Sequence, residues 1–336
     1  MNKGPLITLA HGNGGRFMRE LIEDVFARHF GTQQLDPGLD AAPIALDPEM
    51  VAVVSTDGFI VEPLQFPGGD IGALAVHGTC NDLAVSGAVP RFLTLGAMIE
   101  EGLPLATLET IVASIAAAAR ENDVAIVAGD TKVVPRGHGG GLYLTTTGVG
   151  ERMPGCSLGL GTIRAGDEVL VSGPIGDHAV TVLLEREEFD LSGGLASDCA
   201  SLLPFCQPLA NMAGVRFMRD ATRGGLATVA HEILRGTGLG IELRESDIPV
   251  RDEVQGVCEI LGYDPWYLAC EGRVVAVVDP AIAAEVEALW RTLPGGEQAA
   301  RIGSVNGSAH GVVLRTELGG ERMLEELEDD PLPRIC

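Results

Sequence analysis

At 336 residues the chain is longer than one hydrophobic core usually organises, and 46% hydrophobic with 21% charged residues is the make-up of a compact soluble protein. Two domains are therefore expected, with disorder confined to the ends. The 23 basic residues against 47 acidic ones leave a formal charge of −24 and no basic patch to offset it, which argues against nucleic acid and anionic membrane surfaces as partners.

Aromatic residues make up only 4% while glycines number 45, a mix that favours an alanine- and valine-rich α/β body with many tight turns. The seven cysteines form no CxxC pair, and an odd count cannot pair fully within one chain. Pro5–Ala10 is too short for a secretory leader, and Leu103–Ala119 is interrupted by Thr107, Glu109, Thr110 and Ser114, so no membrane span is expected. A cytoplasmic protein with reduced thiols follows as the expectation.

In chain order, the apolar run Leu6–Ala10 leads into His11-Gly12-Asn13-Gly14-Gly15, and Phe17, Leu21, Ile22, Val25 and Phe26 then recur at helical spacing. Val51–Ser55 reads as a strand ending at Thr56-Asp57-Gly58. Asp70 is placed to cap a helix running to about Ser86. Leu105–Arg120 predicts a second helix, with Leu108, Ile111, Val112 and Ile115 on one side. Val124–Ala128 reads as a strand ending at Gly129-Asp130-Thr131-Lys132, and Leu142–Val149 as another. The glycine- and proline-rich stretch Gly150–Gly161 marks a boundary, giving domains over residues 1–150 and 160–328. The second opens with a strand at Glu168–Ser172 and Gly173-Pro174-Ile175-Gly176-Asp177-His178. Arg219–Gly225 then precedes a helix, and Glu271 stands before a strand at Val274–Val278. Residues 329–336 carry Pro331 and Pro333, which favours an extended tail ending in Cys336.

Several of these residues suit phosphate and metal chemistry. Asp57 and Asp130 each stand where a strand runs out, the place where open α/β sheets bind ligands. Singly each reads as the cap of the next turn. Together they suit a magnesium ion, which takes one or two carboxylates on a phosphate. Asp82 shares a helix face with Ile71, Ala75 and Gly78, and a carboxylate on a buried helix needs a charge, a metal or a backbone donor. Lys132 falls on the same side of an extended chain as Asp130, either to meet a phosphate with it or to pair with it at the surface. Gly12-Asn13-Gly14-Gly15 precedes a helix, and could cradle an anion or simply turn the chain. Arg219-Asp220-Ala221-Thr222-Arg223-Gly224-Gly225 offers guanidinium groups for phosphate or an ordinary capping loop. Glu271 reads as a general base or as a neighbour of Arg273. Cys336, on an extended end, presents a thiol open to modification, and its position excludes prenylation.

Pro333-Arg334-Ile335-Cys336 resembles the C-terminal signature of the HypE family of hydrogenase maturation proteins. The likeness runs in order through Ala10–Arg16, Ser55–Phe59, Phe66–Gly72, Gly78–Ala84, Gly129–Val134, Arg219–Gly225 and Glu271-Gly272. That family is similar to aminoimidazole ribonucleotide synthetase, the PurM-like superfamily. Selenophosphate synthetases of the same superfamily carry a reactive cysteine before the glycine loop, whereas no cysteine here precedes Cys80.

The resemblance implies an α/β (α+β) chain of two PurM-like domains: an N-terminal sheet domain that dimerises, a C-terminal α/β domain, and an ATP cleft between them. It implies a partner carbamoyltransferase, HypF, that loads Cys336, followed by ATP-dependent dehydration of the S-carbamoyl group to thiocyanate. The cyanide then passes to a HypC–HypD iron scaffold for [NiFe] hydrogenase. In this reading Cys336, Glu271 and Lys132 are catalytic. Gly12, Asn13, Gly14, Gly15, Asp57, Asp82, Asp130, Thr131 and Lys132 bind nucleotide, and Asp57, Asp82 and Asp130 hold Mg²⁺. The alternatives are a PurM-like enzyme acting on a free metabolite, and a scaffold with an inert cleft.

Overall fold

The computed structural model describes residues 5–12, 16–31, 42, 44–152, 154–186, 194–307, 311–328, 332 and 335. Val51–Phe59 (β1), Ala88–Glu100 (β2), Ala125–Val134 (β3) and Leu142–Arg152 (β4) form a four-stranded sheet in the order β1-β4-β2-β3. Only β2 and β3 are parallel, and the helix Leu105–Glu121 provides the crossover between them.

Asp70 caps the helix Ile71–Val85 (α1) as its sequence position predicts, its Oδ1 accepting the N–H groups of Gly72 at 2.8 Å and Ala73 at 2.9 Å. This helix lies across one face of the sheet and is buried on nearly every side, because its far side meets the second domain. The helical stretch over residues 16–30 buries Leu21, Val25 and Phe26, whereas Phe17 stays half exposed beside His11.

The strand holding Asp130 differs from the sequence expectation. It does not stop at Gly129 but continues to Val134, because Gly129 is used for close approach: a Cβ there would lie 2.6 Å from the Leu95 carbonyl oxygen. Asp57 likewise lies inside β1, two residues before its end.

The second sheet contains Glu168–Val171 (β5), Val215–Asp220 (β6), Gly240–Arg244 (β7), Val274–Val278 (β8), Ala300–Asn306 (β9), Val312–Arg315 (β10) and Glu321–Leu324 (β11). Their order is β11-β10-β7-β9-β5-β8-β6, antiparallel except between β7 and β10. All five residues of β8 are fully buried because helices cover both faces. Val275 and Val277 pack with Leu226, Val229 and Ile233 of the helix Gly225–Thr237. Val274, Ala276 and Val278 pack with Val286 and Trp290 of the helix Pro280–Arg291, and with Ala84 and Val85 of α1.

Asn81 fastens the two domains. Its side-chain nitrogen donates to the carbonyls of Ala200 at 3.0 Å and Glu271 at 3.2 Å, and its oxygen accepts the Leu202 N–H at 2.8 Å. A fully buried amide bound three ways fixes α1 against the second sheet, since losing any partner strands a polar group.

Candidate functional site

The seam between the domains opens into a cavity of about 310 Å³. Asp57 reaches it from β1, Asp82 from α1, Asp220 from the end of β6 and Glu271 from the turn before β8. Arg219 lines it from β6 itself, Thr222 and Arg223 from the loop that follows, and Thr228 and Glu232 from the next helix. Gly78 belongs to the same wall for a steric reason: a Cβ there would sit 2.8 Å from the Phe59 ring.

Local structure explains why the carboxylates converge. Ser55, Asp57 and Phe59 alternate onto the face of β1 that α1 covers, and Asp82 stands on the last turns of α1. Ser55 Oγ donates to Asp82, and Thr79 Oγ1 donates to Asp57 at 3.3 Å. Burial, and then the neighbouring Asp82 carboxylate, push Asp57 up to about 6, against a weaker pull from Arg223. Burial and Asp82 likewise push Asp220 up to about 7, with Arg219 opposing. Asp220 Oδ1 is buried without a hydrogen-bond partner. Arg219 in turn pairs with Glu232 at 3.1 Å.

These residues fit a magnesium ion with a polyphosphate. Two adjacent carboxylates that resist joint ionisation gain from a divalent cation, and two carboxylates with waters are what Mg²⁺ takes when phosphates complete its shell. Arg219 and Arg223 supply the planar donors that phosphate oxygens accept.

The remaining sequence candidates lie elsewhere in the single chain. Asp130 lines up across the sheet with Gly96, Thr145 and Gly58, one register step from the row of Asp57, Thr146, Leu95 and Gly129. One step reverses the side-chain direction, so Asp130 points away from α1. That second face is open, with Val54 62% and Met98 49% exposed. Lys132 Nζ sits on the same open face, 2.9 Å from Asp130 Oδ1, with side chains 61% and 63% exposed. Such a solvated pair contributes about 1 kcal/mol or less. Thr131 is buried on the covered face. The three aspartates named together from the sequence are thus not assembled within one chain: Asp57 and Asp82 meet, and Asp130 does not join them. Among the described residues no group of three or more His, Cys, Asp or Glu side chains converges to hold a metal ion.

Gly12 packs against the edge of β3, where a Cβ would lie 2.7 Å from the Val133 nitrogen. Asn13, Gly14, Gly15 and Cys336 lie outside the described residues. Glu271 is buried, its N–H donating to Asp198 Oδ1 at 3.0 Å. Ile335, the residue before Cys336, is buried at the domain seam, where its carbonyl accepts a hydrogen bond from His178 Nε2 at 2.9 Å.

Asp220 is the site residue that the sequence reading passed over as a carboxylate. Its signal was present, an acid flanked by arginine at the end of a strand and followed by a glycine pair, but the arginines and glycines drew the phosphate assignment. No helix among the described residues is long and apolar enough to cross a membrane.

Comparison with known proteins agrees with this architecture. Residues 38–152 match the AIR synthase related protein N-terminal domain, and residues 164–315 match the C-terminal domain of the same family. Carbamoyl dehydratase HypE of Azotobacter vinelandii is 46% identical over 98% of this chain and 97% of its own. The crystal structure of hydrogenase maturation protein HypE in complex with ATP superposes with a TM-score of 0.93 at 43% identity, covering 98% of this chain and 99% of that one. A chain of the HypE–HypF complex is 41% identical with a TM-score of 0.80, covering 93% and 99%. The chain described here belongs to the HypE family of the AIR synthase related proteins.

Proposed function

We propose that this protein is an ATP-dependent carbamoyl dehydratase that converts an S-carbamoyl group on its own Cys336 to a thiocyanate, supplying cyanide for [NiFe] hydrogenase assembly. The observation that carries the reading is that one seam holds both the carboxylate–arginine cavity and Ile335, the residue next to the cysteine to be modified.

An amide oxygen leaves poorly, so the reaction must first make it a phosphate ester. The carbamoyl oxygen attacks the γ-phosphorus, the bond to the ADP oxygen breaks, and one N–H proton is lost. The carbon–oxygen bond then breaks, phosphate departs and the second N–H proton is lost, leaving the S–C≡N group. Glu271 takes a proton from nitrogen in this scheme. Asp57 and Asp82 would hold Mg²⁺, which would neutralise phosphate charge, while Arg219 and Arg223 orient the phosphates, the division of labour usual in phosphoryl transfer. Gly12, Asn13, Gly14 and Gly15 are assigned to phosphate binding in this scheme.

Asp130 and Lys132 enter the same scheme from a second copy. The open face of the four-stranded sheet carries exposed Val54 and Met98 around the ion pair, and in this scheme a homodimer built on that face would bring Asp130 and Lys132 of one copy to the cavity of the other. Thr131 shapes the strand between them. HypF, found in complex with a related HypE, is the partner that loads the carbamoyl group, and a HypC–HypD scaffold receives the cyanide.

Intact-mass measurement tests the reading. Carbamoylated protein given ATP and Mg²⁺ should lose the mass of one water, and should keep its mass without ATP. Cys336→Ala should bind ATP yet form no thiocyanate. An unchanged mass after ATP addition to correctly carbamoylated protein would overturn the assignment.

A further inference from the structure

We infer that His178 is the positioning residue that seats the end of the chain in the cleft, with Ser197 and Phe66 completing the seat. The inference rests on the tail-substrate reading above, and extends it to residues with no place in the phosphate chemistry.

The imidazole of His178 is fully buried in the first turn of the helix Asp177–Arg186. Its Nε2 lies 2.9 Å from the carbonyl oxygen of Ile335, which can only accept, so Nε2 carries the hydrogen. Burial holds the ring below the ordinary histidine range, so it is neutral and Nδ1 is an acceptor. Ser197 Oγ, 2.8 Å away, therefore donates to Nδ1. The same hydroxyl accepts the Cys199 N–H at 3.0 Å, so donor and acceptor directions agree along the chain of contacts. A single tautomer satisfies every partner, which fixes the ring in the orientation that grips the tail. Phe66 abuts the ring edge-on at 5.3 Å.

The seat spans both domains. Phe66 belongs to the first, His178 and Ser197 to the second, and the Ser197 N–H donates to the Pro67 carbonyl at 2.8 Å. Leu332 and Ile335 bury their side chains in the core cluster that includes Phe66, Leu74, Ala179 and Val182. Ser197 is followed directly by Asp198, whose Oδ1 holds the backbone N–H of Glu271 at 3.0 Å. One dipeptide, Ser197-Asp198, thus supports the tail seat with its first residue and the proposed base with its second. Cys336 is one peptide beyond the gripped carbonyl, about 3.8 Å of chain. The seat of the Ile335 carbonyl and the proposed base are thereby referred to the same short piece of backbone.

The test uses full-length protein with His178→Phe, which keeps a ring beside Phe66 but donates nothing, and His178→Gln, which restores a donor. Ser197→Ala serves as a second route should the phenylalanine variant fail to fold. Alkylation of Cys336 by iodoacetamide, read on the C-terminal peptide by mass spectrometry, should speed up about fivefold to tenfold in His178→Phe and Ser197→Ala, the equilibrium weight of one buried hydrogen bond. Water loss from the carbamoylated tail at saturating ATP should slow by a similar factor while ATP Kd stays the same, and glutamine should recover most of both effects. Unchanged alkylation in a folded His178→Phe or Ser197→Ala variant would overturn the seat, as would a glutamine variant no better than phenylalanine. If wild-type protein fails to dehydrate its tail, the function above falls, while the alkylation contrast still decides the seat.

Discussion

Asp57 and Asp130 stand on strands of one sheet, each beside a glycine and one register step apart across it. Asp57 faces α1, where burial and Asp82 push its carboxyl up to about 6 and make a cation welcome. Asp130 faces the open side, where Lys132 and water already satisfy it. Equal local sequence thus yields a strained acid on one face and a solvated ion pair on the other, and the layer packed against the sheet decides which. The contrast also says how a complete site could form. In the scheme proposed above, a second copy packed on the open face supplies Asp130 to the ligand that Asp57 and Asp82 hold.

Removing the covered carboxylates should have the largest effect. Asp82→Asn should slow ATP-driven water loss from the carbamoylated tail by about a hundredfold or more, the scale on which a preorganised electrostatic contact acts. Undiminished mass conversion by this variant would break the contrast in favour of the open face.

A smaller effect sharpens the same point, that burial governs titration on the covered side. His77, on α1, is pushed down to about 4 by burial, and Asn122 Nδ2 lies 3.0 Å from its Nδ1. Glu121 lies 3.8 Å from Nε2 but is mostly exposed, so water screens it and desolvation prevails. A histidine whose folded pKa is depressed lends stability that is fully present above its ordinary pKa of 6.5 and is lost progressively as pH falls from there to about 4. Denaturant unfolding at pH 7.5 and 4.5 should show wild type losing up to about 3 kcal/mol more than His77→Gln between the two conditions. Equal losses would remove His77 as the cause.

Much of this frame is legible in the sequence where the cause is local. The Asp70 cap and the helix it starts, and the buried character of that helix, follow from spacing and residue type, whereas the meeting of Asp82 with Asp57 is implied only by the family resemblance. Asp130 and Lys132 were rightly placed on one side of an extended chain, but which side depends on strand register and on the layer that covers it, and neither is written locally. The glycine at 129 misled because it serves close strand approach, not a turn. Ser197 had no sequence signal, since its partner His178 and the tail carbonyl meet only after both domains have closed on each other.

The central claim, that both faces serve one site, is tested most directly by mixing subunits. Asp82→Asn and Lys132→Ala proteins should each be inactive alone. Equal mixing, with unfolding and reassembly, should restore about a quarter of wild-type water loss, because half the dimers are mixed and each holds one intact site. No recovery in demonstrably mixed dimers would contradict the account.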